Sequence, residues 1–320
     1  DHIQRQGQIA KANHVMPAEI RYLPREQIDT GKWDETVLKN DNGLIYAQSI
    51  FLDIMAENWN AIVVNDYAAI LPLPTRRKWG ISYYFHPAFV QQLGLIGYID
   101  NSLYPKIIDL VFRTVHYGDL LFNYDNGHAA AILPSKKRTN FVIDLSSSYQ
   151  SIAAGFHPNV RRTLVTTSEA GLQYQPLEDV GAVIDFYKEQ VGSRSRTPSL
   201  SDYANFKDLC SYYQKKGGVF NRKVVNSKGE LLSAALFLID NKRVYNVMSA
   251  VTPVGRTVEA LRFLLNEVFL EFAGRPLLFD FEGSDLPGVR TFYSKFGAVE
   301  QPYFSVHYNQ LNFLAKLFKK

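Results

Sequence analysis

Two acidic residues stand two apart in an apolar stretch, where Asp280 and Glu282 alternate with Phe279 and Phe281. Along a strand, successive side chains point to opposite faces, so the carboxylates share one face and the rings the other. A carboxylate over a packed aromatic layer suits removal of a proton from a nucleophile, directly or through water. The same pair at a strand end also suits ion pairing with an arginine or capping of the next helix. A second constellation is Val-Thr-Pro-Val-Gly-Arg-Thr at 251–257, which joins a strand to a helix start. A helix N-terminus offers unpaired N–H groups and partial positive charge, as a pyrophosphate requires. Gly255 would let the backbone approach closely, Arg256 adds charge, and Thr257 suits a cap. Spacing alone also fits an ordinary capped helix after a proline turn. The adjacent Arg161 and Arg162 suit contact with an anionic acceptor or RNA, or plain solvation. Gln91 and Gln92 are candidates for lining a cleft between two halves of the chain.

Other chemistries lack their residues. The seven histidines are scattered, with no His-Glu-x-x-His and no cysteine cluster, so no metal site is expected. There is no Gly-x-Ser-x-Gly elbow and no Walker loop. The single cysteine, Cys210, precludes an intrachain disulfide and fits a reducing, cytoplasmic compartment. Its place in the amphipathic stretch 206–213 marks it as a small core residue. A net charge of +4 suits an anionic small molecule, a phosphate-rich cofactor or RNA, and falls short of a duplex-DNA stripe. No apolar run reaches bilayer length. Residues 1–15 are polar, lack a signal-peptide core, and read as an extension or expression remnant ahead of Met16. The tail 311–320 mixes Leu and Phe with Lys, which suits weak contact with an anionic membrane surface or docking on the domain.

The elements that must position these residues repeat along the chain. With 320 residues, 46% hydrophobic and 21% charged, two domains are expected. In the second half, helices over 182–189 and 203–214 precede strands over 219–225 and 231–239 around a Ser-Lys-Gly turn. A strand over 243–251, a helix over 257–272, a strand over 277–282, a short helix over 288–296 and a closing strand over 304–308 follow. The first half shows the same order: helices over 33–38 and 49–56, strands over 61–64, 68–73 and 81–85, a helix over 105–115 and a strand over 120–124. Leu-Leu-Phe-Asn-Tyr-Asp at 120–125 parallels Leu-Leu-Phe-Asp-Phe-Glu at 277–282. At the same offset Ile107, Ile108, Val111 and Phe112 fall on Leu264, Leu265, Val268 and Phe269, which points to duplication. The charged connector 134–139 is the expected boundary between domains 16–139 and 140–320.

The element order of the second half resembles a GNAT (N-acetyltransferase) domain. Val289-Arg290-Thr291-Phe292-Tyr293-Ser294-Lys295-Phe296-Gly297-Ala298 is similar to the GNAT segment in which a Tyr precedes a Lys-Phe/Leu-Gly ending, with Ala298 in place of the usual aromatic. Asn140-Phe141-Val142-Ile143-Asp144-Leu145, Phe156, Arg161-Arg162 and Ala170-Gly171-Leu172 resemble the inter-domain segment of FemAB-like proteins, as do the stretches 46–49 and 91–94. The resemblance implies a mixed α/β (α+β) fold of two tandem GNAT-like domains, each a mostly antiparallel mixed sheet flanked by helices. It implies an acyl donor held in the second half, with acyl-CoA contacting Ala250, Val251, Gly255, Arg256 and Thr257. Backbone N–H groups of Ala250 and Val251 would receive the oxyanion. Glu282 or Asp280 would act as base and Tyr293 as acid, while Gln91, Gln92 and Arg161 would face a small-molecule or peptide amine acceptor between the domains. The long helical arm of cell-wall FemAB enzymes is not seen in the sequence, and the loop at Gly255 holds one glycine. Aminoacyl-tRNA is the alternative donor, feeding a peptidoglycan precursor or a peptide. A binding protein that retains the fold without catalysis is the second alternative.

Overall fold

The computed structural model describes residues 18–78, 80–191, 198–283 and 285–311. The first half runs β1 (Ile20–Pro24), α1 (Thr30–Lys39), α2 (Ser49–Met55), β2 (Asn58–Val64), β3 (Ala69–Lys78), β4 (Ile81–Tyr84), β5 (Ile96–Gly97), α3 (Tyr104–Thr114), β6 (Tyr117–Phe122), α4 (Gly127–Ala131) and β7 (Ser135–Arg138). The second runs β8 (Phe141–Asp144), α5 (Tyr149–Ala154), α6 (Pro158–Glu169), β9 (Gln173–Pro176), α7 (Val180–Val191), α8 (Leu200–Gln214), β10 (Val219–Val225), β11 (Leu231–Ile239) and β12 (Arg243–Val251). It continues with α9 (Pro253–Thr257), α10 (Ala260–Phe272), β13 (Leu278–Asp280), α11 (Pro287–Ser294), β14 (Val299–Glu300) and β15 (Tyr303–Asn309).

Local chemistry explains the main elements. Helix α3 buries Ile107, Ile108 and Val111 along one face and carries Pro105 in its first turn, where the missing N–H has no partner to lose. Helix α8 starts with a capping box between Ser199 and Asp202. Strands β11 and β12 are almost continuously buried, which is how central strands covered on both faces read. Cys210 is fully buried in α8, as its spacing implies, and burial pushes its thiol up.

The strands form two sheets. One has the order β1-β2-β3-β4-β6-β15-β7, with β5 on β3, and the other β14-β8-β13-β12-β11-β10-β9. All pairings are antiparallel except one in each sheet: β4 with β6, and β12 with β13. Both parallel pairs are brief. The first joins only Tyr84 to Gly118, and the second ends at Tyr245 opposite Asp280, so in each sheet two neighbouring strands part in a V.

One strand of the second half crosses to the first sheet. β8 inserts between β13 and β14 of the second sheet, and β15 inserts between β6 and β7 of the first. This corrects two expectations. The closing strand completes the sheet of the other half, and the charged connector contains β7, an edge strand. Its Lys136, Lys137 and Arg138 made it read as a loop, yet charge is what protects an exposed sheet edge. The halves also share one apolar core, in which Trp33, Phe51 and Trp59 pack with Val183, Phe206, Leu236 and Met248. Polar bonds reinforce it. Lys242 donates to the carbonyls of Val37 (2.9 Å) and Asn40 (2.7 Å) at the end of α1, where a cation meets the negative end of the helix dipole.

This crossing makes a directional prediction. A chain ending at Gln301 lacks β15 and leaves β6 and β7 with unpaired edges, removing Val306 and Tyr308 from the first half's core. Amide hydrogen exchange should show protection lost in β6 and β7 and kept in β10 to β12. Loss confined to the second sheet would refute the crossing.

Candidate functional site

The V of the second sheet opens beside a buried ion pair. Arg243 at the start of β12 donates to Asp280 (2.8 Å) and Gln301 (2.8 Å), and both charged side chains are almost fully excluded from solvent. The guanidinium also lies over the ring of Tyr124 from the first half, 4.8 Å from its centroid. The second Asp280 oxygen accepts the backbone N–H of Glu282 (2.9 Å). Both oxygens of Asp280 are thus engaged, so the expectation of Asp280 as a base is corrected: it fulfils the alternative role of arginine partner. β13 ends at this residue. Phe281 continues into the core, ring against Phe279 (4.9 Å), as alternation requires. Glu282 then turns into the left-handed region (φ 60°), which costs about 1–3 kcal/mol for a side chain of this kind and is characteristic of functional sites.

The strained turn aims Glu282 toward both halves. Its carboxylate accepts a hydrogen bond from the Tyr46 hydroxyl of the first half. Burial pushes the carboxyl from an ordinary 4.5 up to about 8. Tyr293 of α11 stacks obliquely on Phe281 (4.5 Å between centroids), and burial first, then Tyr187 and Glu282, raise its phenol.

A cavity of about 460 Å³ has Tyr293 in its wall, while Glu282 itself is not among the lining residues. Tyr187 and Val191 of α7, Ser249 and Val251 of β12, Leu261 of α10 and Phe292 and Tyr293 of α11 give it mostly apolar walls. Arg256, Glu259 and Arg262 bring charge to it where α10 begins. Arg262 pairs with Glu259 (3.0 Å), whereas Arg256 is exposed and has no ion-pair partner among the described residues. A bulge at Val247, between Asn246 and Met248, offsets the register of β12. Beyond it the Thr252 N–H bonds Leu232 (2.9 Å), and ladder alternation then turns the Ala250 N–H onto β11 and leaves the N–H groups of Ser249 and Val251 facing the open side. Of the two expected oxyanion donors, Val251 is free and Ala250 is occupied.

The loop 251–257 differs from its reading as an open anion cradle. It folds into α9, capped by Thr252, whose hydroxyl accepts the Gly255 N–H (2.9 Å). Thr257 is not the cap; its hydroxyl bonds the Val254 carbonyl (2.8 Å). Gly255 is buried because a Cβ there would lie 2.3 Å from the Leu232 carbonyl, so packing of α9 on β11 explains the glycine. Arg161 stands elsewhere, in a separate depression with Tyr149, Leu164 and Glu267. Gln91 and Gln92 are both buried. Gln92 donates to Gln91 (2.7 Å) and accepts the Tyr124 N–H (3.1 Å), and Gln91 donates to Asn140 (3.3 Å), so they are corrected from cleft lining to a closed polar network. Residues 1–15 and 312–320 lie outside the described residues.

The first sheet has the counterpart of this V, and its own chain fills it. Leu95 donates to Asn126 (2.9 Å) and accepts from Asn123 (3.1 Å), and a Cβ on Gly94 would lie 2.8 Å from the Phe122 Cα. Asn123, Asp125 and Asn126 stand where the second half has Asp280, Glu282 and Gly283.

Comparison with solved structures decides the fold. A crystal structure of FemX superposes with a TM-score of 0.64 at 12% identity, covering 94% of this chain and 100% of FemX. The C-terminal domain of an Agrobacterium fabrum protein assigned as a lysylphosphatidylglycerol synthetase gives 0.56 at 13% identity, covering 91% of this chain and 94% of that one. This chain has a FemAB-like tandem GNAT fold. A GCN5-related N-acetyltransferase from Sphaerobacter thermophilus also aligns, with a TM-score of 0.51 at 14% identity over 90% of this chain and 94% of that one. No family model matches the sequence, and no curated protein does.

Within this fold, Tyr293, Val251 and Arg256 line one cavity, and the charge of Glu282 acts on Tyr293. Tyr46 and Tyr187 were missed as site residues. Tyr46 lay in a stretch quoted for its resemblance, but only the meeting of the halves reveals its contact. Among the described residues no group of His, Cys, Asp and Glu could hold a metal ion.

Two measurements check this geometry. Asp280→Asn leaves Arg243 buried without its counter-ion and should cost about 3–5 kcal/mol in chemical denaturation; a loss under about 1 kcal/mol would mean that the pair is solvated. From pH 4.5 to about 8 the native state keeps a Glu282 proton that the unfolded chain has released, so stability falls as pH rises through that window. Glu282→Gln is neutral in both states, and its melting temperature should lack that component of the decline. Parallel pH curves for parent and variant would show that Glu282 titrates normally.

Proposed function

We propose that this chain is a transferase that moves an acyl group from a coenzyme A thioester to an amine acceptor bound between its halves. The observation that carries the reading is Glu282: a half-buried carboxyl on a strained turn, just past the point where β12 and β13 part, whose charge acts on Tyr293 in the wall of an apolar cavity. Its raised affinity for protons suits a base working near neutral pH. The donor's acyl arm would lie in the cavity against Tyr187, Val251 and Phe292, with Arg256 toward its phosphates. Glu282 takes a proton from the acceptor amine as nitrogen attacks the carbonyl carbon. The negative oxygen that forms meets the free Val251 N–H. The carbon–sulfur bond then breaks, and Tyr293 donates its phenolic proton to the departing thiolate. A phenol raised by burial stays protonated until that step, as an acid must. The filled V of the first sheet supports a single donor site, with residues from both halves around the acceptor. A coenzyme A donor also implies a cytoplasmic setting.

One observation favours a second donor. With Gly255 packed on Leu232 and its N–H taken by Thr252, α9 offers fewer free amides to a pyrophosphate than an open loop does. An aminoacyl ester carried on tRNA needs the same apolar cavity for its acyl part without that cradle.

The deciding experiment is a thermal-shift screen with coenzyme A, acetyl-CoA, longer acyl-CoAs and tRNA. A ligand at about 100 times its dissociation constant adds roughly 2.7 kcal/mol to the native state. Stabilisation by coenzyme A compounds is expected; a response to tRNA alone moves the assignment to aminoacyl transfer. With the donor in hand, Glu282→Gln should lower turnover about 10²–10⁴-fold, and Tyr293→Phe should also lower it. Full turnover in both variants removes these roles, and a parent without turnover on any donor leaves a binding protein.

A further inference from the structure

Tyr46 reaches Glu282 from the opposite half of the chain, and everything around it is built to hold its hydroxyl still. It lies in the turn Ile45–Ala47, all three residues of which are buried. On one side of it the Ile45 N–H donates to the Tyr245 hydroxyl of β12 (3.2 Å), which itself donates to Asp240 (2.8 Å). On the other side the Trp33 indole N–H donates to the Ala47 carbonyl (2.7 Å). The ring meets Phe51 edge-on at 5.6 Å and Tyr245 at 5.4 Å. A fully buried tyrosine clamped through both neighbours and its ring has one polar atom left, and that atom bonds Glu282.

We propose that Tyr46 is the positioning residue of the site: its hydroxyl orients the Glu282 carboxyl and favours its ionised form against the opposing effect of burial, so that the base depends on a contact from the other half of the chain. This rests on the reading of Glu282 as the base. A hydrogen bond to the ionised form favours ionisation, whereas burial opposes it. The other groups around Glu282 do not replace that donor. Tyr293 of α11 and Tyr303 of β15 feel its charge, with Tyr187 of α7 behind the first and Arg138 and Asp285 near the second. Asp280 faces the Glu282 backbone N–H, and its own charge is matched by Arg243. The Tyr46 bond reaches the Glu282 carboxylate from the far side of the interface.

Tyr46→Phe keeps the ring, and with it the contacts to Phe51 and Tyr245, while deleting the hydroxyl. The test reads Glu282 directly, by carbon-13 carboxyl shifts of the glutamate-labelled full chain across pH, with Glu282→Gln used to assign the signal. The lost bond to a charged acceptor should move the Glu282 midpoint upward by about one to two pH units. Turnover at pH 7 should fall by roughly 10- to 100-fold with little change in donor KM, and should recover as pH is raised above the new midpoint. An unchanged midpoint in a folded Tyr46→Phe chain overturns the proposal. A shifted midpoint with full turnover in Glu282→Gln keeps the coupling of Tyr46 to Glu282 and rejects the catalytic reading instead, so the two failures are distinguishable.

Discussion

The Arg243–Asp280 pair is the fixed point of the second half. Two charges removed from water are tolerable only when the remaining donors and acceptors are also satisfied. Here Gln301 takes a second guanidinium bond, Tyr124 covers its face, and Asp280 uses its other oxygen to hold the Glu282 N–H. Four separate stretches of chain therefore converge on one ion pair. Because β12 and β13 are joined only up to this point, the pair sets where the strands part. It also fixes the strained backbone that turns Glu282 out of the core, so the position of the candidate base follows from an interaction that never touches a substrate.

A strand duplex that ends early would ordinarily be a weakness, since it exposes unpaired backbone groups. Both sheets have one, and they handle it differently. In the first, residues 91–97 cross the gap and give their polar groups to Asn123 and Asn126. In the second, the gap is left with Ser249 and Val251 facing an apolar cavity. One opening is thus filled and the other kept, and at the ends of the two strands Asn123 and Asp125 correspond in the sequence to Asp280 and Glu282.

Much of the fold was legible in the sequence because its signals are local. The strands β10, β11 and β12 lie where alternation and turn residues put them, and the helices α3 and α10 follow their apolar stripes. What could not be read depends on partners far along the chain. Nothing in Tyr303–Asn309 says which sheet it joins, since an alternating strand fits either slot. Asp280 and Glu282 looked like equals from their spacing; only Arg243, which a buried strand does not advertise, separates the paired carboxylate from the other. Thr257 read as the cap, but the helix starts earlier and Thr252 caps it, with Gly255 in close contact with Leu232. Tyr46 carried no signal of its own, because the meaning of a tyrosine lies in what its hydroxyl meets.

The crossing strand has a mechanical consequence. Only Thr139 and Asn140 separate β7 from β8, and only Gln301 and Pro302 separate β14 from β15, so the chain passes between the sheets twice by very short crossings. The crossings touch, through the Gln301 N–H and the Asn140 carbonyl (2.9 Å). Gly283, next to Glu282, sits so near this junction that a Cβ on it would lie 2.1 Å from the Thr139 carbonyl. This junction adds to the shared apolar core and to the bonds of Lys242 and Tyr46, so Glu282 stands on a seam that is pinned from several sides and not at a hinge.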